Sequence, residues 1–378
     1  MTNPVGSNCN HWVAAFAAAL LLFVGGCAFV EVEGQYSARY GSDFTLVIPR
    51  TALRSPGYFF TSIPRPASHA DTILVMYARK SDSLWFYKLG EVHHFQSIGL
   101  REYGVHEVSS MFWNESESTL YVLDERQAAL LELDTEGSVL ALDSLPYFTD
   151  SDDVVYGSVM EFVANKKNVI SVVGAFTTVD SFVQRPCLAR YDRHLRTWTP
   201  IAWHPVDIRQ HPNRFSFYPL LNATSGNLDS VFFRFRVSDS VFLYSNGRMS
   251  SYLSSSLPGI QYQELQPPEI DSPEFFIIAP TYWWLTISNG AFITLGWDRI
   301  DLHERDGSLN SVYSKRIFLL VTPKSGEKTS VIRLPSKYSI YNPWLFSVGE
   351  GFAIIDKTKQ DPNDKSHVVY TLINIENE

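Results

Sequence analysis

Three short stretches carry side chains able to do chemistry. The richest is "WHPVDIRQHPNRF" (203–215), where His204, Asp207 and His211 offer imidazole and carboxylate groups of the kind that hold zinc or another transition ion. Their spacing matches no helix-borne H-E-x-x-H site, and the two prolines place the segment in a loop, where Arg209 and Arg214 serve local hydrogen bonds. A second stretch, "FTDSDDVVYGS" (148–158), gathers Asp150, Asp152 and Asp153, a carboxylate cluster suited to calcium. Val154 and Val155 follow where an EF-type loop would continue with acids and glycine, so a solvated acidic loop is the favoured reading. The third is "APTYWWLTI" (279–287), with Trp283 and Trp284, beside the amide-rich "PLLNATSGN" (219–227). Aromatic and amide groups together suit a sugar or peptide platform, although large rings packed between sheets explain the tryptophans more simply.

Other chemistry finds no footing. His93 and His94 are adjacent, so in a strand they point to opposite faces and do not chelate one ion. Cys187 follows Pro186 at the start of a strand with no identifiable partner histidine, and no G-x-S-x-G elbow occurs. Neither a Walker-type nor a dinucleotide-type glycine loop is present. No cofactor is expected. The formal net charge of −9 supplies no basic footprint and disfavours nucleic acid as a partner.

The elements that must position these residues emerge as a repeat. "TILVMYARKSDSLWFYKLGEVHHF" (72–95) and "SVFFRFRVSDSVFLYSNGRMSSYL" (230–253) align without a gap: strand, Ser-Asp-Ser turn, aromatic strand, glycine turn, strand. Asn246-Gly247 is a strong hairpin signal, because both central positions of a type I′ turn need positive φ. Four more segments carry the same scheme, giving six modules with middle strands near Trp85, Leu130, Leu188, Phe242, Ile317 and Val369. Innermost strands are expected at 107–113, 157–163, 215–218, 275–278 and 344–348, and an insertion near 289–313 makes the fifth module irregular. One segment argues locally against this scheme. "DERQAALLELD" (124–134) is rich in helix formers, and only its alignment with the other modules makes it a turn and a strand.

The sixth module ends without an outer strand, while "FTLVIPR" near the start has no module of its own. The expected fold is therefore all-β: a six-bladed β-propeller over residues 43–378, its ring closed by residues 44–49 pairing with residues near 368–375. A pair of β-sandwiches would also give regular short strands, but it explains neither the matching modules nor the missing strand. Aromatics at 14% and charged residues at only 19% fit a strand-rich chain.

The first residues have a different character. Trp12 to Val24 is an unbroken apolar run leading into Gly25-Gly26-Cys27. An apolar core followed by small residues marks a secretory signal, and Cys directly after "VGG" resembles a bacterial lipobox. That resemblance implies a signal peptide over 1–26, cleavage, lipidation of Cys27, and a tether over 27–42. The n-region has no Lys or Arg, and the alternative is an uncleaved anchor over Trp12 to Val30, which would make the chain a sensor ectodomain.

With modules of the form D-x-hydrophobic-Y…L…(D/N)…G-x-hydrophobic behind a lipobox, the chain resembles the six-bladed, NHL-like or TolB-like β-propeller lipoproteins of bacterial envelopes. No WD, Kelch or Asp-box signature accompanies the pattern. The resemblance implies fold and address: an envelope protein on the periplasmic or surface face, attached through its N-terminus. The expected role is a binding or scaffolding module for a protein, peptide or glycan. The alternative is an envelope hydrolase or lyase with its site at the propeller axis. Fold alone decides neither.

Overall fold

Leu131 and Leu133 of the helix-prone segment bury against one neighbouring sheet while Leu130 buries against another. A strand covered on both faces reads as a continuous apolar run rather than an alternating one, which is why its pattern imitates a helix. In the computed structural model Ala129–Leu133 is a strand, and Ala128 in the turn before it takes positive φ. The model describes residues 32–33, 36–47, 60–63, 72–79, 81–124, 126–146, 148–150, 153–155, 157–173, 186–205, 219–223, 228–235, 238–253, 281–288, 290–298, 300–301, 303–309, 314–339, 346–348, 351–361, 363 and 367–377. Among them no α-helix occurs.

Apart from a two-stranded hairpin of residues 148–150 and 153–155, the described strands form six antiparallel sheets in chain order, each a blade. From the axis outward, blade 1 is Phe60–Ile63, Ile73–Ala78, Ser83–Lys88 and Gln96–Gly99. Blade 2 is Ser110–Asn114, Thr119–Asp124, Ala129–Leu133 and Val139–Ser144. Blade 3 is Gly157–Ala164, Asn168–Val173, Pro186–Asp192 and Thr197–Trp203. Blade 4 is Pro219–Ala223, Ser230–Phe235, Ser240–Ser245 and Arg248–Leu253. Blade 5 is Thr281–Ser288, Ala291–Trp297, Ile317–Pro323 and Ser330–Arg333. Blade 6 is Phe346–Val348, Gly351–Asp356, His367–Asn377 and, from the other end of the chain, Tyr36–Val47.

All six expected middle strands are the third strands of these blades. The closure is observed too, in the expected register: Phe44 faces Tyr370, Thr45 faces Val369 and Leu46 faces Val368. It is longer than expected, because pairing continues back to Tyr36 opposite Asn377. Residues 36–42, read from the sequence as tether, are therefore strand. Val32–Glu33 adds a fifth strand to the outer edge of blade 5. The polar composition of this stretch hid the strand, because an outer strand needs only one buried face.

Other boundaries also moved. The inner strands of blades 4 and 5 are at Pro219–Ala223 and Thr281–Ser288, and the expected positions 215–218 and 275–278 lie outside the described residues. The irregularity of blade 5 is an excursion between its second and third strands, residues 298–316. Asn246 and Gly247 both take positive φ, as a two-residue I′ hairpin requires.

Packing closes the ring independently of hydrogen bonding. Each pair of neighbouring blades shares one apolar cluster: blades 1 and 2, 2 and 3, 3 and 4, 4 and 5, 5 and 6, and 6 and 1. Radial sheets leave wedge-shaped gaps that widen outward, and bulky rings fill them. Phe233 stacks on Phe242 at 5.3 Å, Phe232 tilts against Phe292 at 5.4 Å, and Phe44 stacks on Tyr370 at 5.3 Å. The high aromatic content is thus mostly interblade filling.

Candidate functional site

The loops divide between two faces. Connections from second to third strands, and from one blade to the next, gather on one face. Hairpins from third to fourth strands gather on the other.

The first face carries a repeated acid at the end of the second strand. Asp124 accepts hydrogen bonds from the His106, Glu107 and Gln127 amides at 2.7, 3.0 and 3.0 Å. Asp298 accepts from the Arg316 amide at 2.8 Å and also from its guanidinium. Asp356 accepts from the Thr358 amide and hydroxyl at 3.0 and 2.6 Å and from Lys337 Nζ at 2.9 Å. Burial works to raise the Asp356 pKa, but the Thr358 and Lys337 bonds outweigh it and hold the carboxyl below its ordinary value. These acids brace loops through fully engaged oxygens, so their chemistry is structural. Lys315 lies on the same face, almost fully buried, its ammonium 5.7 Å from the Trp297 ring centroid; burial pushes its pKa down to about 7.

A buried ion network joins blades 2 and 3. Arg193 pairs with Glu132 and, at 3.1 Å, with Asp143. Glu132 is the one acid among the leucines of its strand, and it faces blade 3 to meet this guanidinium.

The residues singled out from the sequence scatter. His204 is buried after the outer strand of blade 3, its ring 5.6 Å from that of Phe235. Asp207, His211 and Cys27 lie outside the described residues. Asp150 and Asp153 face each other across a small two-stranded hairpin, and Asp152 lies outside the description. Among the described residues no group of three or more His, Cys, Asp or Glu side chains is arranged to hold a metal ion. Trp284 is half-buried on the inner strand of blade 5 and tilts against Phe352 of blade 6 at 5.3 Å, which makes it interblade packing. The side chain of Trp283 lies outside the description. His94 stacks on Trp85 at 4.6 Å, in keeping with a structural role. Cys187 is wholly buried, and burial raises its thiol pKa far from a reactive range.

A concave feature lies elsewhere among the described residues. On the hairpin face, a groove of about 510 Å³ runs between blades 1 and 2, lined by Ile73, Lys88, Phe95, Gln96, Thr135, Glu136 and Ser138. One wall is the end of the third strand of blade 1 and the start of its fourth. Phe95 stays 44% exposed there, and Val92 in the same turn is 39% exposed. Lys88 Nζ sits 5.8 Å from the Phe95 ring centroid and 3.6 Å from Glu91. The other wall is the turn of blade 2, where the Asp134 carboxylate accepts from the Glu136 and Ser138 amides at 2.9 and 2.7 Å.

Gly137 completes this turn. Its φ is +77°, and a Cβ there would come within 2.4 Å of Ile98 Cδ1. Only glycine lets the blade 2 turn seat against blade 1 and shape the groove. The result is an exposed aromatic ring flanked by an ammonium, an amide and a carboxylate, a surface that favours stacking with polar anchoring. Sequence reasoning passed over it. The available signal was two apolar residues, Val92 and Phe95, inside an otherwise polar hairpin.

Comparison with known proteins agrees with the fold. A family model described as SdiA-regulated matches residues 97–173, about a fifth of the chain. No curated protein matches the sequence. Among solved structures, a member of the DUF4221 family from Bacteroides vulgatus superposes with a TM-score of 0.64 at 11% identity, covering 91% of this chain and 99% of that one. A candidate exported protein of Bacteroides fragilis superposes with a TM-score of 0.54 at 10% identity, covering 90% and 96%. The resemblance drawn from the sequence holds at the level of fold: the chain is a six-bladed propeller similar in fold to these two bacterial proteins. Identities this low carry fold and nothing about ligands.

Proposed function

We propose that this propeller is a binding module of the bacterial envelope, held at a membrane by its N-terminus, and that it engages a peptide or glycan in the groove between blades 1 and 2. The observation that carries the reading is the half-exposed Phe95 ring, set in a groove between Lys88, Gln96 and Glu136. Leaving 44% of the ring in water forgoes less than half of the roughly 1.5–3 kcal/mol that full burial of a phenylalanine returns, and a bound ligand recovers part of it. The envelope address rests on the apolar run from Trp12 and on Cys27.

The test is a binding screen of peptides and oligosaccharides, with each hit titrated calorimetrically against wild type, Phe95→Ala and Leu195→Ala. Leu195 is 67% exposed on blade 3 and serves as the control. The reading predicts at least tenfold weaker binding for Phe95→Ala and no change for Leu195→Ala. Equal loss in both, or none in either, rejects the groove. Turnover of a hit would favour the hydrolase or lyase alternative.

A further inference from the structure

Val32 is the first described residue, and it is already hydrogen-bonded into blade 5 opposite Ile332. Ile332 in turn faces Leu319, two residues below the start of the third strand at Ile317. The N-terminal segment descends this outer edge antiparallel to Ser330–Arg333, then turns into blade 6, where the Tyr36 amide donates to Ser330 Oγ at 3.2 Å. Val32 therefore lies nearer than Glu33 to the face that carries the Lys315 loop.

Only residues 28–31 separate Cys27 from Val32. Fully extended, the five steps between these two residues reach about 18 Å. Val32 is about 7 Å below the level of Ile317 at one strand rise per residue. A lipidated Cys27 therefore rises no more than about 11 Å above the rim of blade 5. An uncleaved anchor over Trp12 to Val30 leaves even less slack. Blade 2 lies diametrically opposite, about 40 Å away at about 4.8 Å per strand, and the groove it shares with blade 1 opens on the other face of the ring.

A second, independent feature sits at the same rim. The excursion 298–316 of blade 5 folds into a small hairpin in which His303 bridges to Leu309 and the Gly307 amide donates to the Glu304 carbonyl. Leu309 there is 58% exposed. An exposed leucine on a protruding turn is suited to the interface between headgroups and acyl chains. Charge does not supply the attraction, because Arg316, Lys337 and Lys359 on this rim are paired with Asp298, Asp356 and Asp43.

We infer that blade 5 is the membrane-facing edge of the propeller, with the Leu309 hairpin touching the lipid surface and the groove between blades 1 and 2 directed away from it. The inference rests on the membrane attachment proposed above and goes beyond it by fixing an orientation. It gives the groove free access to partners while the anchor holds the opposite side.

The experiment uses the full chain with its own N-terminus, reconstituted into phosphatidylethanolamine–phosphatidylglycerol vesicles that carry a headgroup nitroxide. A fluorophore is placed at Leu309→Cys or at Glu136→Cys, both exposed positions, and buried Cys187 stays unlabelled. The expected result is at least threefold stronger quenching at 309 than at 136. Equal or reversed quenching in protein that resists carbonate extraction overturns the orientation and leaves the attachment standing. Release of the protein by carbonate overturns both.

Discussion

Lys315 offers a quantitative test of how tightly blade 5 is packed. Its ammonium is buried against Trp297, and burial lowers its pKa from 10.5 to about 7, with Asp298 opposing part of the shift. The unfolded chain therefore binds more protons than the folded chain between about pH 7 and pH 10.5, and stability must rise with pH through that window. Linkage puts the cost at about 4 kcal/mol at pH 7 and about 2 kcal/mol at pH 9. Lys315→Met keeps the aliphatic volume and removes the titration. Urea unfolding of both proteins at pH 7 and pH 9 should show wild type gaining about 2 kcal/mol relative to the variant. The window stops short of pH 10, where partly buried tyrosines such as Tyr40, raised to about 12, begin to act in the opposite direction. Parallel pH dependences in the two proteins would refute the claim that burial lowers the Lys315 pKa.

Other consequences follow from the packing. Glu132→Ala removes the most buried partner of Arg193 but leaves it Asp143, and should cost about 1.5–3 kcal/mol in chemical denaturation; a loss under 1 kcal/mol would mean that the Glu132 contact contributes little. Asp356→Asn should cost about 1.5–3 kcal/mol at neutral pH. Because its folded pKa is depressed, Asp356 stabilises above the ordinary carboxylate pKa, and that stability is lost as pH falls through the folded value. The variant should therefore lose less stability than wild type on acidification below pH 4, and an unchanged acid limb would contradict the assignment. Gly137→Ala combines a left-handed φ with the contact on Ile98 and should lower stability by more than 1 kcal/mol, as read by thermal unfolding. A neutral result would show that the blade 2 turn is not seated on blade 1.

The architecture was legible because it is a repeat. Six third strands could be placed by aligning weakly similar modules, and an orphan strand near the start completed a last blade that lacked one. Helix propensity at 124–134 misled only while that segment was read alone. Its leucines are buried on both faces, and propensity gives way to that packing. The inner strands of blades 4 and 5 were misplaced because they lie inside aromatic and amide-rich stretches, where a strand and a ligand platform share a composition. The site was not legible for a different reason. A groove between blades is made by residues about 40 positions apart, such as Phe95 and Glu136, and nothing in their local sequence announces that they meet. Trp284 misled in the opposite sense, since a conspicuous residue turned out to be interblade filling.

The most direct test of the account is hydrogen exchange of the protein with and without a titrated peptide or oligosaccharide ligand. The account predicts ligand-dependent protection confined to the amides of residues 95–99 and 135–138, the two walls of the groove. Protection at the loops around Asp298 and Asp356 on the opposite face, with the groove unchanged, would contradict it.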